Sequence, residues 1–189
     1  MIGSNDAMAI YREDWASERM HAWNLTEKPT EDVLIRNLTD TVKALLDQTT
    51  AVIAIATLPP FGENVNSASN KIIQSINSRI KTLEYHFLGE IKSDSRETTR
   101  VSVIDVNSAL WAEINSQRSR KNTKPTHSID MFLPYATVMG ILHCVFGLSW
   151  NVLTRLSGNV VLCESLHLNE DGGSILRNEV VQWLMDKMT

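Results

Sequence analysis

A chain of 189 residues, 43% hydrophobic and 21% charged, is long enough to bury a sizeable core and has the composition of one soluble globular domain. Its net charge of −4, with Lys and Arg scattered, provides no basic stripe and argues against nucleic acid as a partner; the cluster Arg118 to Asn122 reads as a solvated loop. Cys144 and Cys163 make neither a disulfide framework nor a metal pattern, so buried free thiols are the expectation and the compartment stays open.

The chain opens on Gly3-Ser4-Asn5-Asp6 behind two apolar residues, which reads as the end of a buried strand entering a polar turn. No basic region followed by an apolar run marks a secretory leader. From Pro29 to Gln48, Leu34, Leu38, Val42 and Leu45 recur at steps of three and four behind acidic residues, predicting an amphipathic helix. Ala51 to Pro60 is a continuous β-branched run bounded by turn formers, as a strand buried on both faces reads. Behind Asn and Ser capping candidates, Ile72, Ile73, Ile76, Ile80 and Leu83 predict a second helix.

Leu88 to Arg100 is a polar connection, and Arg100 to Ser108 reads as a second strand. The uncharged stretch between Asp130 and Arg155 is the one membrane candidate. Pro134, Gly140, His143, Gly147, Ser149 and Asn151 interrupt it, and a buried segment packed on a sheet is the preferred reading. Asn159 to Ser165 is a weaker extended candidate. In the last segment Leu176, Val180, Leu184 and Met188 fall four apart on one face of a final helix. Strands alternating with helices of this length imply βαβ units and an α/β sandwich with a parallel sheet.

Ligands of such sandwiches bind at the carboxyl ends of the strands, which directs attention to the segments after them. His167 lies in the last of these, Glu164 three residues before it. A histidine serves as general base at neutral pH when a carboxylate orients its ring. His21, His86, His127 and His143 show no metal-ligand spacing, and no metal or other cofactor is expected.

The order of these pieces carries more than any one of them. Gly-x-Asn-Asp, a strand ending in Leu58-Pro59-Pro60, a helix with the pair Ile76-Asn77, then Val103-Ile104-Asp105-Val106-Asn107-Ser108, then Leu166-His167-Leu168-Asn169-Glu170-Asp171-Gly172-Gly173 and a final helix together resemble the SGNH or GDSL hydrolase family across nearly the whole chain. The resemblance implies a flavodoxin-like parallel-sheet α/β sandwich and hydrolysis of a small-molecule carboxylic ester. It places Gly3, Asn5 and Asp6 on the family's third block, with Asn5 as oxyanion-hole donor, and His167 on the general base. Glu164 falls where the family usually has Asp as orienting acid.

The family's Gly-Asp-Ser block, which bears the nucleophile, occurs nowhere in the sequence. Residues 1–189 therefore read as a single SGNH-like domain lacking its N-terminal strands and nucleophile, inactive alone, with the strand near residues 52–58 left as an unpaired hydrophobic edge. Two alternatives follow: a non-catalytic remnant that pairs this edge with a partner strand, and a membrane-associated protein anchored by Phe132 to Leu153.

Overall fold

The structure, a computed structural model, describes residues 3–22, 24–89, 100–121, 132–163 and 166–188. The chain divides into two compact units, residues 1–58 with 72–104, and residues 59–71 with 105–189.

The first unit contains α1 (Ser4–Tyr11), α2 (Glu13–Ala22), α3 (Glu31–Gln48), β1 (Ile53–Ala56), residues 72–89 of α4 (Ala68–Gly89) and β2 (Val101–Ile104). Thr30 caps α3, its side-chain oxygen accepting from the Val33 N–H at 3.2 Å, with Glu31 and Asp32 in the first turn where the helix dipole favours negative charge. At the other end of α3 the Arg100 guanidinium donates to the Leu46 and Thr49 carbonyls at 3.0 and 2.6 Å. One cation so satisfies orphan carbonyls of the helix and fixes the chain entering β2.

β1 and β2 pair in parallel, Ile53 opposite Val101 through Ala56 opposite Ile104. Ile55, Val101 and Ile104 of this pair are buried, and so are Ile73, Ile76 and Ile80 of α4. Where β1 ends, Asn77 of α4 binds the backbone of Leu58 in both directions: its Oδ1 accepts from the Leu58 N–H at 2.7 Å and its Nδ2 donates to the Leu58 carbonyl at 2.9 Å. The strand end thus has its polar groups paired inside the protein.

The second unit contains α5 (Val106–Lys121), α6 (Phe132–Phe146), α7 (Trp150–Ser157) and α8 (Glu170–Met188). Its core includes Phe61, Leu110, Ile114, Leu153 and Leu162, all under 2% exposed. Asp105 caps α5 by accepting from the Ser108 N–H and hydroxyl at 3.3 and 2.6 Å.

The expected flavodoxin-like sandwich does not form. Among the described residues there are eight helices and a single two-stranded parallel sheet. The runs at residues 51–60 and 100–108 yield strands of only four residues each, and Val106 already begins α5. The third candidate, Asn159 to Ser165, makes no ladder over its described residues. The N–H groups of Val160, Val161 and Leu162 all donate to one oxygen of the Glu63 side chain, so a carboxylate takes the donors that a neighbouring strand would have used. What remains of pairing there is an isolated antiparallel bridge between Leu162 and Leu168.

Three further expectations change. The apolar stretch before Arg155 is two helices: α6 ends at Phe146, Gly147 turns the chain with a φ of 66°, and Ser149 caps α7. Within its unit α6 buries Met139 but leaves Val138, Ile141, Val145 and Phe146 more than half exposed, and no helix among the described residues is long and apolar enough to cross a membrane. The stripe on α8 is likewise open, Leu184 at 46% and Met188 at 86% exposure. Both cysteines are free, but only Cys163 is buried and Cys144 is exposed.

Candidate functional site

The Gly-x-Asn-Asp run lies at the start of α1. Gly3 precedes the helix with a φ of 97°, left-handed backbone that L side chains rarely adopt, and a Cβ there would stand 3.2 Å from the Leu58 Cδ2. Glycine is therefore favoured by the turn, while a Cβ would ask only a small shift of the Leu58 side chain. Ser4, Asn5 and Asp6 form the first helical turn, and Asn5 and Asp6 are exposed. Partial burial of its carboxyl pushes Asp6 above the ordinary aspartate range, its own backbone N–H pulling the other way.

Beside this turn is a cavity of about 500 Å³. Gly3 and Asp6 line it, together with the apolar side of α3 (Leu34, Leu38, Val42 and Leu45) and the whole of β1. Ile53 and Thr57 donate their N–H groups to Arg100 and Ile104 carbonyls at 2.6 and 3.0 Å, so the N–H groups of Ala54 and Ala56 point to the other edge of β1. The hydrophobic edge anticipated near residues 52–58 thus has β2 as its one strand neighbour among the described residues. Apart from Asp6, Asn37 and Thr41, the lining is aliphatic or backbone, and Asp6 is its one charged side chain.

His167 belongs to the second unit and is exposed, in the short connection between Cys163 and α8. Its carbonyl accepts from the Cys163 N–H at 2.8 Å, next to the Leu162–Leu168 bridge. Asn169 then closes the turn. Its Oδ1 caps α8 by accepting from the Gly172 N–H at 2.8 Å, its Nδ2 donates to the Val160 carbonyl at 2.9 Å, and its backbone N–H donates to the Val161 carbonyl at 3.0 Å. Glu164, the expected orienting acid, lies outside the described residues.

The other side of the same segment rests on Glu63. This side chain, 1% exposed, accepts through Oε1 from Val160, Val161 and Leu162 at 2.7, 2.8 and 3.1 Å, and through Oε2 from Arg118 Nη2 at 3.1 Å. Arg118 also donates to the Glu63 carbonyl at 2.5 Å. The loop that presents Glu63 is built by Asn70, whose Nδ2 donates to the carbonyls of Phe61, Gly62 and Asn64 while its Oδ1 accepts from the Phe61 N–H at 2.8 Å. Burial pushes the Glu63 carboxyl above the ordinary glutamate range, against the pull of the three N–H groups and the guanidinium.

The structure therefore gathers Gly3 and Asp6 at one cavity, with Asn5 in the turn between them, and sets His167 on a separately braced turn of the other unit. His143 has a local role: its Nδ1 lies 2.8 Å from the Leu148 carbonyl and its ring stacks on Trp150, closing the α6–α7 corner. No three His, Cys, Asp or Glu side chains among the described residues could hold a metal ion. Sequence pattern missed Glu63 and Asn70, and it named Asn77 and Arg118 without their bonding roles, because the partners of all four are distant or on a neighbouring loop. Asn169 could have been read as a helix cap from its place before Glu170 and Asp171. Compared with known proteins, the chain matches no family model, no curated protein and no solved structure.

Proposed function

We propose that this chain carries the oxyanion-hole asparagine, Asn5, and the general-base histidine, His167, of an SGNH-type carboxylic ester hydrolase. The observation that carries the reading is the conformation of Gly3 to Asp6: a left-handed glycine packed against the end of β1 launches a helix whose first turn leaves the Asn5 amide exposed. A side-chain N–H held on such a turn is suited to donate to an oxygen that becomes negative in a tetrahedral intermediate, where preorganised donors contribute most. An exposed histidine on a turn fixed by backbone hydrogen bonds is suited to take a proton from a serine hydroxyl and return it to the leaving alcohol.

The 189 residues contain no Gly-Asp-Ser, and loss of the nucleophile costs on the order of a million-fold in turnover in serine hydrolases. Ester hydrolysis by these residues alone is therefore expected to be undetectable. The test is to isolate the polypeptide from its source, determine its true N-terminus by mass spectrometry, and assay short-chain aryl esters. A product that extends through a Gly-Asp-Ser block and loses activity in Asn5→Ala and His167→Ala supports the reading. Hydrolysis by the 189 residues that survives His167→Ala, or an extended product that cleaves no ester, refutes it.

The cavity favours a second reading, a module that binds an extended apolar segment of a partner beside β1. What favours it is the lining: β1 along its whole length and the aliphatic side of α3. Under this reading Ala54→Pro, which removes an N–H from the open edge and spares the bonds to β2, abolishes partner binding.

A further inference from the structure

Val160, Val161 and Leu162 offer three successive backbone N–H groups to a single carboxylate oxygen, an arrangement of the kind that binds free anions in backbone nests. Here the anion is tethered, reaching the nest from a residue nearly one hundred positions earlier in the sequence. The same short segment is also bonded to the turn before α8, through two carbonyls and one N–H. Val160 O and Val161 O accept from Asn169, and the Cys163 N–H meets the His167 carbonyl. Residues 160–163 are thus a strip bonded both to Glu63 and to the His167 turn.

We propose that Glu63 is the positioning residue of His167: its carboxylate, seated in the Val160–Leu162 nest and backed by Arg118, sets the register of the strip from which the His167 turn hangs. Three features make this more than generic packing. All three donors converge on one atom, so a shift of the strip by one residue would break the set. Glu63 is fixed from its own side by Asn70, which makes four hydrogen bonds to the loop around it. Finally, the start of α8 leaves no slack: a Cβ on Gly172 would lie 2.4 Å from the Val161 carbonyl oxygen, so the strip cannot move toward the helix. Arg118 is the charged side chain that acts on Glu63, and the strip itself presents backbone N–H groups.

The proposal deepens the ester-hydrolase reading by naming what holds its base. NMR on the isotopically labelled full chain answers it whether or not any ester is turned over. In the unaltered chain, scalar couplings across the hydrogen bonds are expected from the Val160, Val161 and Leu162 nitrogens to the Glu63 carboxyl carbon. Glu63→Gln keeps an acceptor oxygen without the charge, so the three amide protons and the His167 ring signals should move together while those of His21 and His86 stay in place. Glu63→Ala should displace the His167 signals further, and added formate, a carboxylate small enough for the vacated nest, should restore them. If Glu63→Ala does not fold, Glu63→Gln decides. Missing couplings in the unaltered chain, or His167 signals unmoved in a folded Glu63 variant whose strip amides have shifted, would overturn the proposal.

Discussion

Gly172 and Gly173 are neighbours in the first turns of α8, and the structure assigns them opposite responses to the same substitution. A Cβ added at Gly172 would meet the Val161 carbonyl oxygen at 2.4 Å, with Leu168 Cδ2 and Cβ at 3.1 and 3.3 Å, whereas a Cβ at Gly173 meets nothing within 4 Å. The Val161 oxygen cannot retreat freely, because it accepts from the Asn169 N–H and its residue's own N–H is held by Glu63. Relief requires a backbone shift, and such overpacking costs about 1–3 kcal/mol. The bond from Asn169 to Val161 would be strained with it, at about 1 kcal/mol for a lost hydrogen bond. Against this stands a gain of about 1 kcal/mol for Ala over Gly in a helix.

Gly172→Ala should therefore destabilise by roughly 1–3 kcal/mol, while Gly173→Ala should stabilise by about 0.5–1 kcal/mol. Urea denaturation followed by circular dichroism reads the difference as a shift in midpoint at unchanged slope. Hydrogen exchange at the Val160–Leu162 amides locates it, faster in Gly172→Ala and unchanged or slower in Gly173→Ala. Equal stability of the two variants would refute the close approach of α8 to the strip.

Three other outcomes follow from buried polar groups. Asn77→Ala removes two buried hydrogen bonds to the Leu58 backbone, and a loss of roughly 1–3 kcal/mol is expected in thermal melts, at about 0.5–1.5 kcal/mol per bond. Arg118→Met strands the Glu63 charge and should cost about 3–5 kcal/mol, while the double variant with Glu63→Gln should lose less than the sum of the singles; additive losses would contradict the pairing. The raised pKa of Glu63 gives a signed pH effect. The folded chain keeps a proton that the unfolded chain releases above about pH 4.3. This contribution to stability is thus full below that value and lost as pH rises through the folded pKa. Urea titrations across that window should show the decline in the unaltered chain and not in Glu63→Gln.

The helices were legible in the sequence where their signals are local. The step of three and four through Leu34, Leu38, Val42 and Leu45 marks α3, and the same pattern with Ile76 and Ile80 marks α4. The two strands were legible as β-branched runs, but their ends were not. Asp105 and Ser108 form a cap three residues apart, a signal present in the sequence, which starts α5 inside the run read as strand. Asn159 to Ser165 failed for a different reason. Its apolar, β-branched character fits a strand, yet what satisfies its backbone is decided by a carboxylate far away in sequence, which no local window contains.

The same reasoning separates the parts of the candidate site. Gly3 to Asp6 read as the end of a buried strand, and the structure corrects this: Gly3 is a left-handed residue that launches α1, a conformation its residue type permits but the local pattern did not reveal. His167 was readable as a residue capable of base chemistry with Glu164 as its expected orienting acid, but the hydrogen bonds that tie the strip before it to Glu63 cross nearly a hundred residues and leave no local signal. A charged group as buried as Glu63 is costly to keep unless several donors meet it, and here three backbone N–H groups and a guanidinium do. In a local reading Glu63 is one more acidic residue in a polar turn, and Arg118 one more cation in the Arg118 to Asn122 cluster. Their pairing turns two apparent surface charges into the brace beneath the His167 turn, so the residues that hold the site had to come from three-dimensional contacts.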